Sequence, residues 1–187
     1  MRRKDDEKVR NIKEAVIKLI LQEGFHGTSV SKIARLAGVS PATVYIYYEN
    51  KDVMLHDIYL EYSEEIYDYL LDSMKQELEG RRQIELLIRS YYNYILENKE
   101  IFSFVEQFSN CPSLANSCSG KQGICKIYHI MAEMKQNHIL RDYREDNLLA
   151  IIFQPVKAIA VDNRKDAAQK EDLLTELIIM IQDAIMM

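Results

Sequence analysis

Apolar residues recur at helical spacing along most of the chain. In the first segment they occupy positions 9, 12, 16, 19 and 20, which places them on one side of a helix over residues 8–23. Gly24 follows, as is typical of a glycine that ends a helix. The same spacing predicts further helices over residues 51–79, 81–97, 99–109, 121–139, 144–162 and 170–186, with a loop rich in Ser, Asn and Pro at 109–120.

Two short helices are predicted between the first helix and the long one at residue 51. The first begins at Thr28 or Ser29, either of which is a good N-cap. Gly38 then permits the positive φ of a sharp turn, Ser40 can cap the next helix, and Pro41 suits its first turn. Two short helices joined by a tight turn and braced by a longer helix are typical of a helix-turn-helix. The sequence therefore predicts an all-α fold.

The second short helix has an unusual composition. The segment 38–55 reads GVSPATVYIYYENKDVML, so hydroxyl groups and aromatic rings crowd into about three helical turns. A helix buried in a core would not carry so many hydroxyls, and an ordinary surface helix would not carry so many rings. Neither kind of helix explains this composition.

The run 25–55, FHGTSVSKIARLAGVSPATVYIYYENKDVML, resembles the N-terminal domain of the TetR family of bacterial transcriptional repressors. The hallmarks of that family recur in order within residues 8–56, at Gly24–Phe25, Thr28, Ile33–Ala34, Ala37–Gly38–Val39–Ser40, Tyr45, Tyr48 and Lys51. Two positions depart from the usual pattern, since Ala42 replaces a common glycine and Tyr48 a common phenylalanine.

The resemblance implies a homodimer with nine helices in each subunit. An N-terminal helix-turn-helix DNA-binding domain, residues 1–50, would precede a C-terminal helical domain for ligand binding and dimerisation, residues 51–187. The chain would be a DNA-binding transcriptional regulator, most simply a repressor that a small-molecule ligand releases from its operator. No catalytic residues, metal or cofactor are expected.

The resemblance also implies which residues contact DNA. The helix from Pro41 to Tyr48 would lie in the major groove, where the base edges are distinguishable. Residues expected to face bases are Ser40, Pro41, Ala42, Thr43 and Ile46. Residues expected to hold phosphates are Ser29, Ser31, Lys32, Tyr45, Tyr47 and Lys51. The alternative is that Tyr45 and Tyr47 pack at the domain junction and that Lys51 is a solvated cation. Val44 and Tyr48 would point into the core.

The charge distribution agrees with a DNA-facing N-terminus. The whole chain has a formal net charge of −5, which by itself does not favour a polyanionic partner. Residues 1–52 nevertheless carry ten basic and seven acidic side chains, a net of +3, which leaves 14 basic and 22 acidic side chains for the remainder. Such asymmetry suggests a head that faces a polyanion on an acidic body.

The C-terminal body is rich in tyrosine, phenylalanine and methionine, which supply the apolar walls and few polar groups of a small-molecule site. The expected ligand-binding residues are Tyr62, Tyr91, Tyr94, Phe102, Phe108, Tyr128, Met131 and Phe153. Glu65 and Glu106 would suit a cationic ligand if they are buried. Packing as plain core remains the alternative for each of these residues.

The last helix is apolar on more than one side. The segment 172–187 reads DLLTELIIMIQDAIMM, so its apolar residues exceed what one buried stripe requires. Together with the preceding helix, which contains NLLAIIFQPVKAIAV, it is expected to form a four-helix interface between two subunits.

Two other functions remain open from the sequence. A helical enzyme would use Cys125 with His129, or His56, but no nucleophile motif, phosphate loop or complete metal-ligand set accompanies them. An architectural DNA-binding protein would bind no ligand. The odd number of cysteines, at 111, 118 and 125, disfavours a disulfide framework. With neither a secretion signal nor an apolar run long enough to cross a membrane, the chain is expected in the cytoplasm.

Overall fold

The computed structural model describes residues 2–74, 79–109 and 122–187. These residues form nine helices and no β-strand, which confirms the predicted all-α fold. The helices are α1 Arg2–Gly27, α2 Val30–Leu36, α3 Pro41–Tyr47, α4 Lys51–Met74, α5 Gly80–Glu97, α6 Lys99–Ser109, α7 Gln122–Gln136, α8 Glu145–Val161 and α9 Ala167–Ile185. The predicted loop after residue 109, with Cys111 and Cys118, lies outside the described residues.

The chain packs as two compact units. One unit comprises Met1–Ser63 with Glu100–Gly120, and the other comprises Glu64–Lys99 with Lys121–Met187. The first unit therefore contains α1, α2, α3, the first half of α4 and nearly all of α6. The domains 1–50 and 51–187 stay a prediction about function, because packing groups α6 and the start of α4 with the first three helices.

Two glycines shape the helix-turn-helix. Gly38, in the turn between α2 and α3, has φ of 70°, as the sequence predicts. Gly24 also has φ of 70°, yet α1 resumes beyond it to Gly27, so that this glycine kinks the helix where the sequence predicts its end. The Thr28 hydroxyl donates to the Gly24 carbonyl at 2.9 Å and holds the kinked segment together.

The core of the first unit is formed by buried apolar residues of α1, α2 and α3. Ile12, Val16 and Ile20 of α1 are buried, which confirms the apolar stripe of the first helix. They are joined by Ile33 and Ala34 of α2, Val44 of α3 and Tyr48, all buried. The predicted inward orientation of Val44 and Tyr48 is therefore confirmed.

The second unit is built around α5, α8 and α9, which pack against one another, while α7 contacts α8. Its buried residues include Ile84, Leu87, Ile88, Leu148, Ile152, Val156, Leu174, Ile178 and Ile181. The Arg81 guanidinium donates to the Gln182 side chain at 2.9 Å, and the Gln182 amide donates to the Arg81 carbonyl at 2.9 Å. These paired bonds tie the start of α5 to the end of α9.

Gly80 lies at the start of a helix, next to residue 79, where the sequence predicts that the preceding helix ends. It is the first residue of α5, with Glu79 as its N-cap. A Cβ atom at Gly80 would lie 2.3 Å from Cγ2 of Ile139, so only glycine leaves room for the Ile139 side chain. In the part of the chain that the structure describes, each helix is too short or too polar to cross a bilayer.

Candidate functional site

The N-terminus of α3 is fixed by its predicted cap. The Ser40 hydroxyl accepts the backbone N–H of Thr43 at 3.1 Å and lies 2.9 Å from the Thr43 hydroxyl. Pro41 occupies the first helical turn, where its missing N–H leaves no unsatisfied donor. Ser40 and Thr43 are thus held together at the start of α3, and their side chains bond each other in the free protein.

The residues of α3 divide sharply into buried and exposed. Val44 and Tyr48 anchor the helix in the core, whereas Tyr45 is 55% exposed and Ile46 is 77% exposed. The residues expected to face bases are exposed or, for Thr43, half-buried; they are Ser40, Pro41, Ala42, Thr43 and Ile46. An isoleucine as exposed as Ile46 gains nothing from the fold, so its position is consistent with a partner surface.

Burial changes the acidity of the Tyr48 hydroxyl. Loss of water around the phenol raises the pKa of Tyr48 to about 12, and the negative charges of Glu61 and Asp57 add to the effect. Tyr48 therefore stays neutral at physiological pH. It is accommodated as an uncharged core residue.

This shift predicts a loss of stability at high pH. The unfolded Tyr48 releases its proton near pH 10, while the folded residue retains it to about pH 12. The free energy of unfolding should therefore be constant with respect to this group below pH 10 and fall as the pH rises towards 12. Tyr48→Phe should flatten the fall by up to about 1.4 kcal/mol per pH unit. Denaturant titrations between pH 9 and 12 measure this, with the exposed Tyr45→Phe as control; equal slopes for wild type and Tyr48→Phe would contradict it.

Most of the expected phosphate contacts lie at the surface of the first unit. Ser29 caps α2 by accepting the Lys32 backbone N–H at 3.4 Å, and Ser31 and Tyr45 are exposed. Lys32 donates to the Glu23 carboxylate at 2.5 Å and to the Gly27 carbonyl at 2.9 Å. The Tyr47 hydroxyl donates to Asp5 at 3.3 Å. These assignments stay predictions, and for Lys32 and Tyr47 a phosphate would exchange with a partner inside the protein.

The ammonium of Lys51 is bonded within the protein. Its ammonium donates to the Phe25 carbonyl at 3.0 Å and to the Thr28 carbonyl at 3.1 Å. The same nitrogen lies 4.4 Å from the centroid of the Phe25 ring. The sequence contains no signal for these contacts, because they join residues 23 and 26 positions apart.

Three of the expected ligand-binding residues belong to the first unit. Phe102 and Phe108 are buried and Tyr62 is half-buried. The Phe108 ring is in contact with three others: Phe104 at 4.6 Å, Tyr59 at 6.0 Å and Phe25 at 6.4 Å between centroids. Phe108 therefore takes part in an aromatic cluster that joins α6 to α1 and α4.

The other five expected ligand-binding residues belong to the second unit. The Tyr91 and Phe153 rings meet edge to face at 4.7 Å, and Tyr94 packs on Tyr69 at 5.3 Å. Met131 is fully buried. The Tyr128 hydroxyl donates to the Asp146 carboxylate at 2.5 Å, a bond that raises the pKa of Tyr128 to about 12.

A groove of about 780 Å³ opens in the second unit. Its lining residues come from α4, α5, α7 and the segment after α7, and are Leu71, Met74, Gln83, Cys125, Lys126, His129, Ile130, Glu133, Met134, Asn137 and Ile139. The eight expected ligand-binding residues are not among them. The apolar lining with a few polar side chains has the size and character of a small-molecule site. Helical periodicity finds the buried residues here but not which of them border open space.

The residues considered for an enzyme do not assemble a catalytic set. Cys125 is exposed, and His129 lies 3.2 Å from Glu133 on the same face of α7. His56 lies 3.7 Å from Asp57. Within the described ranges, no three His, Cys, Asp or Glu side chains are placed to hold a metal ion together. Glu65 is exposed and Glu106 half-buried, so neither is the buried carboxylate that a cationic ligand would favour.

Comparison with known proteins places the helix-turn-helix in a family. Residues 12–58 match the model of "Bacterial regulatory proteins, tetR family". The chain is similar in structure to a TetR family transcription regulator from Marinobacter aquaeolei VT8, with a TM-score of 0.87, 25% identity, and coverage of 100% of this chain and 99% of that one.

Two curated relatives match part of the chain. The fatty acid metabolism regulator protein of Bacillus subtilis is 27% identical over 88 residues, 47% of this chain and 45% of that protein. The biofilm operon icaADBC HTH-type negative transcriptional regulator IcaR of Staphylococcus epidermidis is 24% identical over 102 residues, 54% of this chain and 53% of that protein. The chain thus spans about half the length of these two curated relatives.

Proposed function

We propose that the chain, a DNA-binding transcriptional regulator of the TetR family, is a repressor that binds operator DNA as a homodimer and leaves it when a small molecule binds the helical body. The curated relative from Staphylococcus epidermidis is named a negative regulator, which supports repression as the sign of control. Such a regulator acts in the cytoplasm, where the bacterial chromosome lies.

The observation that carries the proposal is the exposed side of α3. Val44 and Tyr48 fix the helix in the core, while Ala42, Tyr45 and Ile46 face outward without a role in folding. Small and apolar side chains allow close approach to base edges and thymine methyl groups, and the Ser40 and Thr43 hydroxyls can exchange bonds with bases. This helix is proposed to lie in the major groove.

The proposed phosphate contacts surround α3 in the first unit. Ser29, Ser31, Tyr45 and Tyr47 offer hydroxyl donors, and Lys32 offers a cation. The positive net charge of residues 1–52 favours the approach of this N-terminal segment to DNA over that of the acidic remainder. These contacts fix the position of α3 on the duplex and carry no sequence information.

Dimerisation belongs to the family, and α8 with α9 is the proposed interface. Met180 is 61% exposed and Ile179 is 53% exposed on α9, while Ile151 and Val161 are exposed on α8. Large apolar side chains at neighbouring exposed positions indicate a protein interface. Four helices, two from each subunit, would bury them.

Two regions are proposed for the effector. One comprises the expected aromatic residues in the second unit, such as Tyr91, Tyr94 and Phe153. The other is the groove lined by Met74, Met134 and Ile139, which already has the volume of a ligand site. Both favour a molecule with a largely apolar body. No catalytic step is assigned to the chain, and the absence of enzyme activity stays a prediction.

The proposal is tested by selecting bound fragments from fragmented genomic DNA with the wild-type protein. A small set of related fragments should be enriched, and their affinity should fall steeply with salt, by about 0.9 in log K per decade of salt for each phosphate neutralised. Enrichment of random fragments alone would indicate an architectural DNA-binding protein, and no enrichment would contradict DNA recognition.

The effector should lower the affinity for operator by the same factor by which operator lowers the affinity for the effector. α4 runs through both units, so a ligand that prefers a different position of this helix would shift the population away from the DNA-binding state. A hundredfold loss of operator affinity requires about 2.7 kcal/mol of coupling. By linkage, saturating operator should weaken effector binding a hundredfold. Calorimetry with and without operator measures this, on a compound found by thermal-shift screening.

Two variants locate the effector in that experiment. Met134→Trp should fill the groove and abolish binding there, while Tyr91→Ala should abolish binding in the aromatic region. Equal effector affinities with and without operator would show that the bound compound is not coupled to DNA and would remove the induction half of the proposal.

A further inference from the structure

The amino group of Lys51, at the first residue of α4, is held by the protein itself. We propose that Lys51 is a positioning residue, which fixes the turn between α1 and α2 and thereby the helix-turn-helix, and that its contribution to affinity does not come from a phosphate contact. The part of the inference that concerns DNA affinity rests on the proposed function. The part that concerns the turn between α1 and α2 does not depend on DNA.

The contacts of Lys51 fill most of its bonding capacity. An ammonium has three donors, and two of them reach the Phe25 and Thr28 carbonyls at 3.0 and 3.1 Å. The carbonyls at the end of a helix have no partner within the helix and carry partial negative charge. The Phe25 ring, 4.4 Å from the nitrogen, adds an attraction between cation and π-system. A phosphate could reach only the third donor unless it replaced one of these partners.

The segment that Lys51 holds is one that needs support. Gly24 interrupts α1 with its φ of 70°, so residues 25–27 are joined to the rest of the helix through a kink. Thr28 closes the other side by its hydroxyl bond to the Gly24 carbonyl. Ser29 follows at once as the N-cap of α2, so a change in this turn would move the start of α2.

Phe25, which Lys51 contacts, also packs against α6. Its ring lies 6.4 Å from that of Phe108, which stacks on Tyr59 of α4 at 6.0 Å. Lys51 therefore contacts a ring that packs on α6 and is linked to Tyr59 of α4 through Phe108, all within the first unit. The helix-turn-helix is positioned by Lys51 and this aromatic cluster together.

The test separates positioning from phosphate contact by the salt dependence of binding. Lys51→Met keeps an apolar stem against Phe25 but has no donor. On a duplex selected by the wild-type protein, its affinity should fall about tenfold at every salt concentration, because charge-assisted hydrogen bonds are lost. The slope of log K against log salt should stay as in wild type. A slope reduced by about 0.9 per subunit, or an unchanged affinity, would overturn the inference.

Hydrogen exchange in the protein without DNA tests the same inference independently. Backbone amides of residues 24–36 should exchange faster in Lys51→Met and at the wild-type rate in the control Lys18→Met, which changes an exposed lysine of α1. Unchanged exchange in Lys51→Met would overturn the inference. This outcome is distinct from failure of the wild-type protein to select a duplex, which would contradict the proposed function.

A second variant covers the case in which Lys51→Met does not fold. Phe25→Leu removes the ring beneath the ammonium and leaves the charge of Lys51 in place. If Lys51 acts by position, Phe25→Leu should also lower affinity with an unchanged salt slope. If Phe25→Leu bound as tightly as wild type, the contact between Lys51 and the Phe25 ring would not position the helix-turn-helix, and the inference would be overturned.

Discussion

Ala42→Asp is expected to abolish sequence-specific DNA binding, with a loss of about a thousandfold or more in affinity for the selected duplex, which is the smaller end of the usual gap between specific and non-specific binding. Ala42 is exposed near the start of α3, and a carboxylate there would face bases and phosphates without a partner. The fold should be unaffected, because an exposed side chain contributes little to stability. Titration of a labelled duplex, with thermal unfolding in parallel, measures both quantities.

The matched control for this substitution is Ala168→Asp. It makes the same change in side chain and net charge at an exposed position in the first turn of α9. Its affinity should remain close to that of wild type, so that overall charge is excluded as the cause. If Ala42→Asp bound the selected duplex within threefold of wild type, α3 would not be the recognition helix.

Disruption of the subunit interface should lower operator affinity by about 10²–10⁴, since two linked half-site contacts become two independent ones. The double variant Ile151→Asp, Ile179→Asp places a charge on each exposed apolar face of α8 and α9. Sedimentation velocity should show a monomer, with the loss of affinity measured on the same duplex. Tyr143→Asp, at an exposed aromatic residue outside both helices, should remain dimeric.

A dimer that persists in the double variant would contradict the assignment of the interface to α8 and α9. A monomer that binds the full duplex as tightly as wild type would contradict the need for two linked subunits. The first result would leave DNA recognition by α3 intact, and the second would not affect the interface.

Local features of the helix-turn-helix were predictable because each follows from one residue's own chemistry. Gly38 adopts the positive φ that its turn requires, Ser40 caps α3, and Val44 faces the core by helical spacing. Gly24 shows the limit of this reasoning. It was expected to end the helix, but helical structure resumes to Gly27, and the Thr28 hydroxyl donates back to the Gly24 carbonyl.

Contacts between distant segments were not predictable from periodicity. The pattern marks Phe108 as buried, but not that it meets Phe25 of α1. In the same way, Tyr47 was expected to be available to DNA, and its bond to Asp5 joins residues 42 positions apart. At Gly80, nothing local reveals that the Ile139 side chain packs against it.

The candidate ligand region was the least predictable part of the site. Aromatic residues identify where a pocket has suitable walls, but open space depends on how helices splay, which the sequence does not encode locally. The described groove is lined by aliphatic, sulfur-containing and polar side chains of α4, α5 and α7, so composition pointed to different residues from those that border it.

A footprint of the wild-type protein on its selected DNA, with the mass of the complex measured on the same sample, tests the central claim most directly. Two recognition helices on one dimer should protect a near-palindrome whose half-sites lie about 10 bp apart, or a wider span if two dimers bind. The complex should contain an even number of chains, and protection should weaken steeply as salt is added. A monomer without a footprint, whose DNA association does not depend on salt, would contradict the account.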